Sequence, residues 1–495
     1  MGCCRAGGML HPVGSSRIAT IPSLNGVTPL SPAVGAVNDV TPSSAILARF
    51  ADSQRHDPCC ARRTMFADHA STLRVLPLVL SFSIAEACSS SRAAPGAQPD
   101  AGTADAAQPG DASSDDASDA ATIAPDPRGW RATGAMKTAR LAHTATPLPN
   151  GSVLVVGGET AARDMLASVE IYEPPTDSWS AAPSLPAPRS NHAAVLLNDG
   201  RVLIAGGGRS APIGQPSSLE VTGTALLYDA AANVFAPTGS LLTPRSHFGA
   251  VLLESGDVLI AGGGAATSHA DCGGVPNCGP IADPLASTER FDTASGTWRA
   301  AASMKTPRYS FTLTRLADGR VLAVGGVDET TPIGASTRSA EVYDPNADQW
   351  TAVADLPVPD REHHSAVLLD DGRLMVVGGK QANIGMIRLV DLFAPAVDAW
   401  TATSPLSAVR TAPGLVRLSS GHILAVGGYD QDAAEDVAEA VIYDAASGAW
   451  TKIAPLPDGR DSHSTTMLPD GSVLVAGGFA ESTGVETATC ERSTP

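Results

Sequence analysis

From residue 140 to about residue 490 the chain alternates short apolar runs with polar turns, on a period near fifty residues. Each period opens on a half-apolar stretch such as "HAAVLLNDG", turns at a glycine, and continues as an almost purely apolar run into a double glycine. The seven copies read "GSVLVVGG", "GRVLIAGG", "GDVLIAGG", "GRVLAVGG", "GRLMVVGG", "GHILAVGG" and "GSVLVAGG". Short runs rich in Val, Ile and Leu, bounded by Gly, Asn and Asp, predict strands, the first two of each unit joined as a hairpin. A stretch of variable length follows, then a "VEIYEP"-like and a "SWSAAPSL"-like segment, which predict a third and a fourth strand. An acidic residue follows the aromatic of the third strand in five units (Glu173, Asp229, Asp292, Asp344, Asp444). It predicts a turn held by side-chain-to-backbone bonds, and Ala394 breaks the series.

Aligned on the first glycine of each pair, every unit has an arginine seventeen residues upstream: Arg140, Arg189, Arg245, Arg308, Arg361, Arg410 and Arg460. Six units also carry two aromatics seven residues apart: Tyr172/Trp179, Tyr228/Phe235, Phe291/Trp298, Tyr343/Trp350, Phe393/Trp400 and Tyr443/Trp450. A double glycine followed by spaced Tyr and Trp resembles the kelch repeat. The resemblance covers about residues 128–490 and implies an all-β, seven-bladed kelch-type β-propeller. It implies little about activity, because kelch propellers serve as adaptors, structural proteins and a few enzymes.

The chain ends suggest how such a ring closes. The seventh unit has its arginine, its glycines and a third-strand-like "VETATC", but no tryptophan after it. The missing fourth strand is found ahead of the first arginine, in "GWRATGAM" with Trp130. An N-terminal strand completing the last blade would pair an edge that otherwise stays open.

Upstream of the propeller (128–495) three segments are distinguished. Residues 73–85 form an apolar run of the length of a signal h-region and too short to span a bilayer. Small residues then precede Cys88, so segment 65–88 resembles a bacterial lipoprotein signal with Cys88 as the lipidated residue. Ala85 and Glu86 depart from that pattern. Residues 1–64 are read as a disordered or non-native upstream extension, with translation starting at Met65. Residues 89–127 are Ala, Asp, Ser, Pro and Gly with almost nothing to bury, and predict a disordered linker spanning roughly 35 Å. The expected location is the bacterial cell envelope, lipid-anchored, with secretion as the alternative.

Charge and cysteines narrow the chemistry. A formal net charge of −18 argues against nucleic acid and against an anionic membrane surface as partner, leaving the lipid as the only membrane contact. No paired C-x-x-C units have zinc spacing, so neither a metal nor another cofactor is expected. The family places the corner that holds the seven arginines on the face used for partners. This makes Arg140, Arg189, Arg245, Arg308, Arg361, Arg410 and Arg460 candidate carboxylate ligands. The opposing reading, arginines clamping neighbouring blades by hydrogen bonds to backbone carbonyls, is favoured by their recurrence in every unit. His143, His192, His364 and His463 follow their arginines by three residues, and His247 and His363 by two; packed, hydrogen-bonded imidazoles are expected.

Unequal loops break the symmetry. The longest run from Gly264 to Ser287 and from 208 to 223. Within the first, a Cys272–Cys278 disulfide would remove loop entropy worth roughly 2 kcal/mol, and His269 and Asp271 join the candidate binding set. Cys490 is left as a buried free thiol. A galactose-oxidase-like copper site needs a Cys–Tyr crosslink, and no cysteine is placed for one. The expected function is a monomeric, non-catalytic binding module that takes a protein or glycan partner through loops on one face. The alternative is a carbohydrate-active enzyme, akin to a sugar mutarotase or epimerase, at the mouth of the central channel, with Glu362 as a candidate base.

Overall fold

The computed structural model describes residues 129–210, 219–265, 283–328, 336–357, 360–381, 385–430, 433–480 and 483–494. The expected extension 1–64, the signal-like segment 65–88 with Cys88, the linker 89–127, and His269, Asp271, Cys272 and Cys278 lie outside these residues. No helix among the described residues is long and apolar enough to cross a membrane.

The described residues form an all-β propeller with seven four-stranded antiparallel sheets. Blade 1 consists of Thr144–Pro147, Val153–Val156, Val169–Glu173 and Ser178–Ala182, paired in that order. Blades 2 to 6 repeat the meander, their first strands being Ala193–Leu196, Gly249–Leu252, Thr312–Arg315, Ser365–Leu368 and Gly414–Arg417. Blade 7 takes three strands from the C-terminal end, Ser464–Met467, Val473–Ala476 and Cys490–Ser493, and its fourth from Trp130–Ala132. The first strands neighbour one another in cyclic order, the blade 7 strand lying beside that of blade 1.

The purely apolar second strands follow from this packing. Successive side chains of a strand point to opposite faces of its sheet, and here both faces are covered by neighbouring blades. Leu154 and Val156 pack with Val202, Ile204 and Tyr228 of blade 2. Val153 and Val155 pack with Leu474, Ala476 and Cys490 of blade 7. All four are fully buried. The aromatic pairs stack across the third and fourth strands, with ring centroids 4.9–5.2 Å apart. The third-strand acids act as expected: Asp229 and Asp292 each accept two backbone N–H groups from the turn that follows.

At the seam the sequence reading was right about the partner and wrong about the segment. Trp130 pairs with Ser493, Arg131 with Arg492 and Ala132 with Glu491. Val485–Glu486, read from "VETATC" as the start of the third strand, instead forms a separate hairpin with Phe479–Ala480. Ser493 therefore stands where the other blades have Tyr or Phe, and Trp130 has no stacking partner. Its Nε1–H donates to Ala454 O at 2.8 Å, and its ring packs on the cluster that contains Leu418, Leu456 and Val473. Cys490 is buried and its thiol free, with burial pushing its pKa up to about 12.

Candidate functional site: the hairpin face and the channel mouth

The second glycine of every pair donates its N–H to the carbonyl of the next blade's arginine. Gly158 bonds Arg189 at 2.9 Å, Gly207 bonds Arg245 at 2.9 Å, and so on round to Gly478, which bonds Arg140 at 2.9 Å. A Cβ on Gly157 would sit 2.5 Å from the Arg189 carbonyl and one on Gly158 2.6 Å from the Leu141 carbonyl. Both glycines have positive φ, 60° and 97°. Close backbone approach is thus what the double glycine supplies.

The seven arginines are all buried, at most 2% exposed, and their guanidinium groups are held inside the blades. Arg245 shows the pattern. Its Nη1 donates to Gly262 O and Ser287 O, and its Nη2 to Ser287 Oγ and to Glu289 Oε1 at 2.7 Å. Arg140–Glu170, Arg308–Glu341 and Arg460–Glu491 repeat the ion pair at 2.7, 2.8 and 2.9 Å, and Arg361–Asp391 at 2.6 Å. Arg410 reaches Glu439, just ahead of the strand Ala440–Asp444 and two residues before the position the other acids hold. The carboxylate also caps backbone: Glu289 accepts the N–H groups of Leu242 and Thr243. Among the described residues Arg189 has no acid partner, because Leu226 occupies that strand position. Burial with no countercharge holds its pKa down to about 10.

The reading of these arginines as ligands for a partner is therefore replaced by a clamp, one whose guanidinium groups hold their own blade and not, as expected, the neighbouring one. A guanidinium that is buried and bonded to its own blade is not available to a carboxylate from outside. Sequence reasoning missed the acids, although the signal was present two residues before the third-strand aromatic in "VEIY", "TERF", "AEVY" and "VDLF".

Two residues past each arginine the backbone turns into the left-handed region, at Ala142, Asn191, His247, Ser310, His363, Ala412 and Ser462, with φ between 44° and 53°. These residues are linked blade to blade. Ala142 N–H donates to Ser462 O, Asn191 to Ala142, His247 to Asn191, Ser310 to His247, His363 to Ser310 and Ala412 to His363, at 2.8–3.5 Å. Six links join the seven positions into a belt that runs from blade to blade, open between Ala412 and Ser462 among the bonds of the described residues.

One residue further on, the imidazoles of His143, His192 and His364 bridge neighbouring blades, while that of His463 is packed without such a bridge. His143 Nε2 lies 2.9 Å from Ser464 Oγ, His192 Nε2 2.9 Å from Thr144 Oγ1, and His364 Nε2 3.0 Å from Thr312 Oγ1. Burial, reinforced by the nearby arginine charges, holds the pKa of His192 and His364 down to about 3. They are neutral in the fold, whereas the unfolded chain protonates near 6.5. Their stabilising contribution is complete above pH 6.5 and is lost as pH falls towards 3, at about 1.4 kcal/mol per pH unit for each group. Calorimetry should show the melting temperature falling between pH 6.5 and 4.5. His192→Gln and His364→Gln should flatten that slope, and an unchanged slope would assign the acid sensitivity elsewhere.

Past the double glycines, short hairpins rise beside the belt, the last of them extended to three strands by Arg460–Asp461. They include Gly208–Ser210 with Leu219–Val221, Gly264–Ala265 with Asp283–Pro284, Lys380–Gln381 with Gly385–Met386, Tyr429–Asp430 with Glu435–Asp436, and Phe479–Ala480 with Val485–Glu486. One sector of the mouth departs from the repeat. Glu362, which is 7% exposed, has His363 Nδ1 and Lys380 Nζ each 3.3 Å from its carboxylate. Burial pushes the pKa of this carboxyl up, but the hydrogen bond and charge of His363 and the charge of Lys380 outweigh it, and it stays below the usual range. His247 lies exposed two places round the belt. Among the described residues no group of His, Cys, Asp and Glu is arranged to hold a metal ion.

Comparison with known proteins agrees with this geometry. The kelch motif matches residues 140–186 and 314–357. A human kelch repeat and BTB domain-containing protein 13 is 45% identical over 69 residues, 14% of each chain. The Arabidopsis thaliana F-box/kelch-repeat protein At1g67480 is 34% identical over 107 residues, 21% of this chain and 26% of that one. The chain thus spans only a small part of the length of these relatives. Among solved structures, a fungal alcohol oxidase of the AA5 family superposes with a TM-score of 0.59 over 75% of this chain and 77% of its own, at 15% identity, a likeness of fold alone. The chain carries kelch motifs on an all-β propeller fold.

Proposed function

We propose that the protein is an exported propeller, anchored through Cys88 and held off the membrane by residues 89–127, that captures a protein partner on its hairpin face. One observation carries this reading: the repeated arginines are used inside the ring, while the hairpins that follow the double glycines differ from blade to blade. Kelch repeats suit that role, since the curated relatives join the same repeats to other domains. A rigid ring with variable loops separates scaffold from recognition, because loop changes leave the blade core untouched.

Replacing 208–223 and 264–287 with the short connection of another blade should abolish partner capture from native envelope extracts. The melting temperature should stay within a few degrees of the parent. Unchanged capture would end the reading.

A further inference from the structure

The mouth offers hydrogen-bond acceptors on a face short of positive charge. Around it, the described hairpin segments carry the acids Glu159, Asp164, Glu220, Asp430, Glu435 and Glu486, set against Arg163, Arg209 and Lys380 as bases. Lys380 is paired with Glu362 and 18% exposed, so it adds little positive field of its own. At the centre, His247 is exposed and its Nδ1 lies 3.2 Å from Ser246 Oγ, while the His363 side chain is 40% exposed with Nδ1 turned to Glu362. An imidazole in its neutral form presents one accepting nitrogen, and behind His363 stands the Glu362 carboxylate, 3.3 Å from its Nδ1. A group that only donates and carries positive charge matches this set. An anionic group would meet the acids of the surrounding hairpins.

We propose that the mouth between His247 and His363 seats a lysine or arginine side chain of the partner protein, with the acidic hairpins guiding a basic segment to it. This rests on the hairpin face being the partner surface and adds the chemistry of what it accepts. Charge on both sides gives fast, salt-sensitive encounter, and the seated side chain gives register.

Fluorescence anisotropy with a labelled hexalysine peptide tests it on the full chain. Hexalysine should bind at low salt and weaken about tenfold by 0.3 M salt, while hexaglutamate should not bind. The His247→Ala/His363→Ala double variant should lose about tenfold in hexalysine affinity. His247→Gln/His363→Gln, which keeps an acceptor at both sites, should retain most of it. The belt already holds alanine at the same φ, at Ala142 and Ala412, so the double alanine variant should fold; its melting curve checks this. Failure of hexalysine to bind, or equal affinity in the folded alanine variant, overturns the proposal. If hexalysine fails while the loop-exchanged protein still loses its natural partner, the face reading stands and only the basic seat falls. If loop exchange leaves capture intact, the face reading itself falls.

Discussion

Deleting residues 129–132 is expected to lower the melting temperature by at least 5 °C and to make unfolding concentration-dependent through association of the exposed edge. The segment is three strand residues long, yet it supplies the fourth strand of blade 7. Its loss removes the ladder to Cys490–Ser493, the bond from Thr494 N–H to Gly129 O, and the indole bond to Ala454. Trp130 is half-buried, so its apolar share is about 2–3 kcal/mol at 25 cal/mol per Å² of roughly 100 Å² covered. The indole hydrogen bond adds about 1 kcal/mol. Trp130→Ala should thus cost about 3 kcal/mol in denaturant titration. The full deletion should cost more, because it also leaves a strand edge unpaired. A deletion that melts like the parent would mean that the seam contributes nothing to the ring.

The second large effect separates two arginines that look identical in sequence. Arg245→Met should cost about 3–5 kcal/mol, because it leaves the Glu289 carboxylate, 2% exposed, without its countercharge. Arg189→Met should cost clearly less, about 1–3 kcal/mol, since only carbonyls and Thr224 Oγ1 lose a partner and Leu226 stands where the acid would be. Adding Glu289→Leu to Arg245→Met should recover part of the loss, because it recreates the Leu226 arrangement without the stranded charge. Equal costs for the two single variants would show that the ion pair is not what makes the clamp matter.

The blades were legible because their spacing is dictated by covalent geometry and packing. Gly157 and Gly158 must be glycine for another blade's backbone to approach, Tyr172 and Trp179 must face each other across two strands, and Arg140 must reach its own blade's glycine carbonyl. Even the seam was legible, from a tryptophan without a blade and a blade without a tryptophan. Its register was not, because Ser493 stands in place of the aromatic that marks the third strand elsewhere, leaving "VETATC" as the nearest match.

The site was less legible. The arginines stood out because they repeat, and they repeat because they are internal. What sets the mouth apart is carried by residues that occur once, such as Glu362, His363 and Lys380, and only the fold brings position 380 beside 362. The acid partners of the arginines were written in the sequence as well. A glutamate on an otherwise apolar strand reads as an outward-facing residue until the neighbouring guanidinium is in place.

Hydrogen exchange at the seam tests the ring most directly. In the intact protein, the amides of Thr133 and Met136 donate to Cys490 O and Ala488 O, each at 3.0 Å. Peptides covering 129–136 and 488–494 should be protected together, exchanging far more slowly than an unstructured peptide and slowing or quickening in concert when Trp130 is replaced. Exchange of 129–136 at the rate of a free peptide, with 488–494 still protected, would contradict a ring joined by its two chain ends.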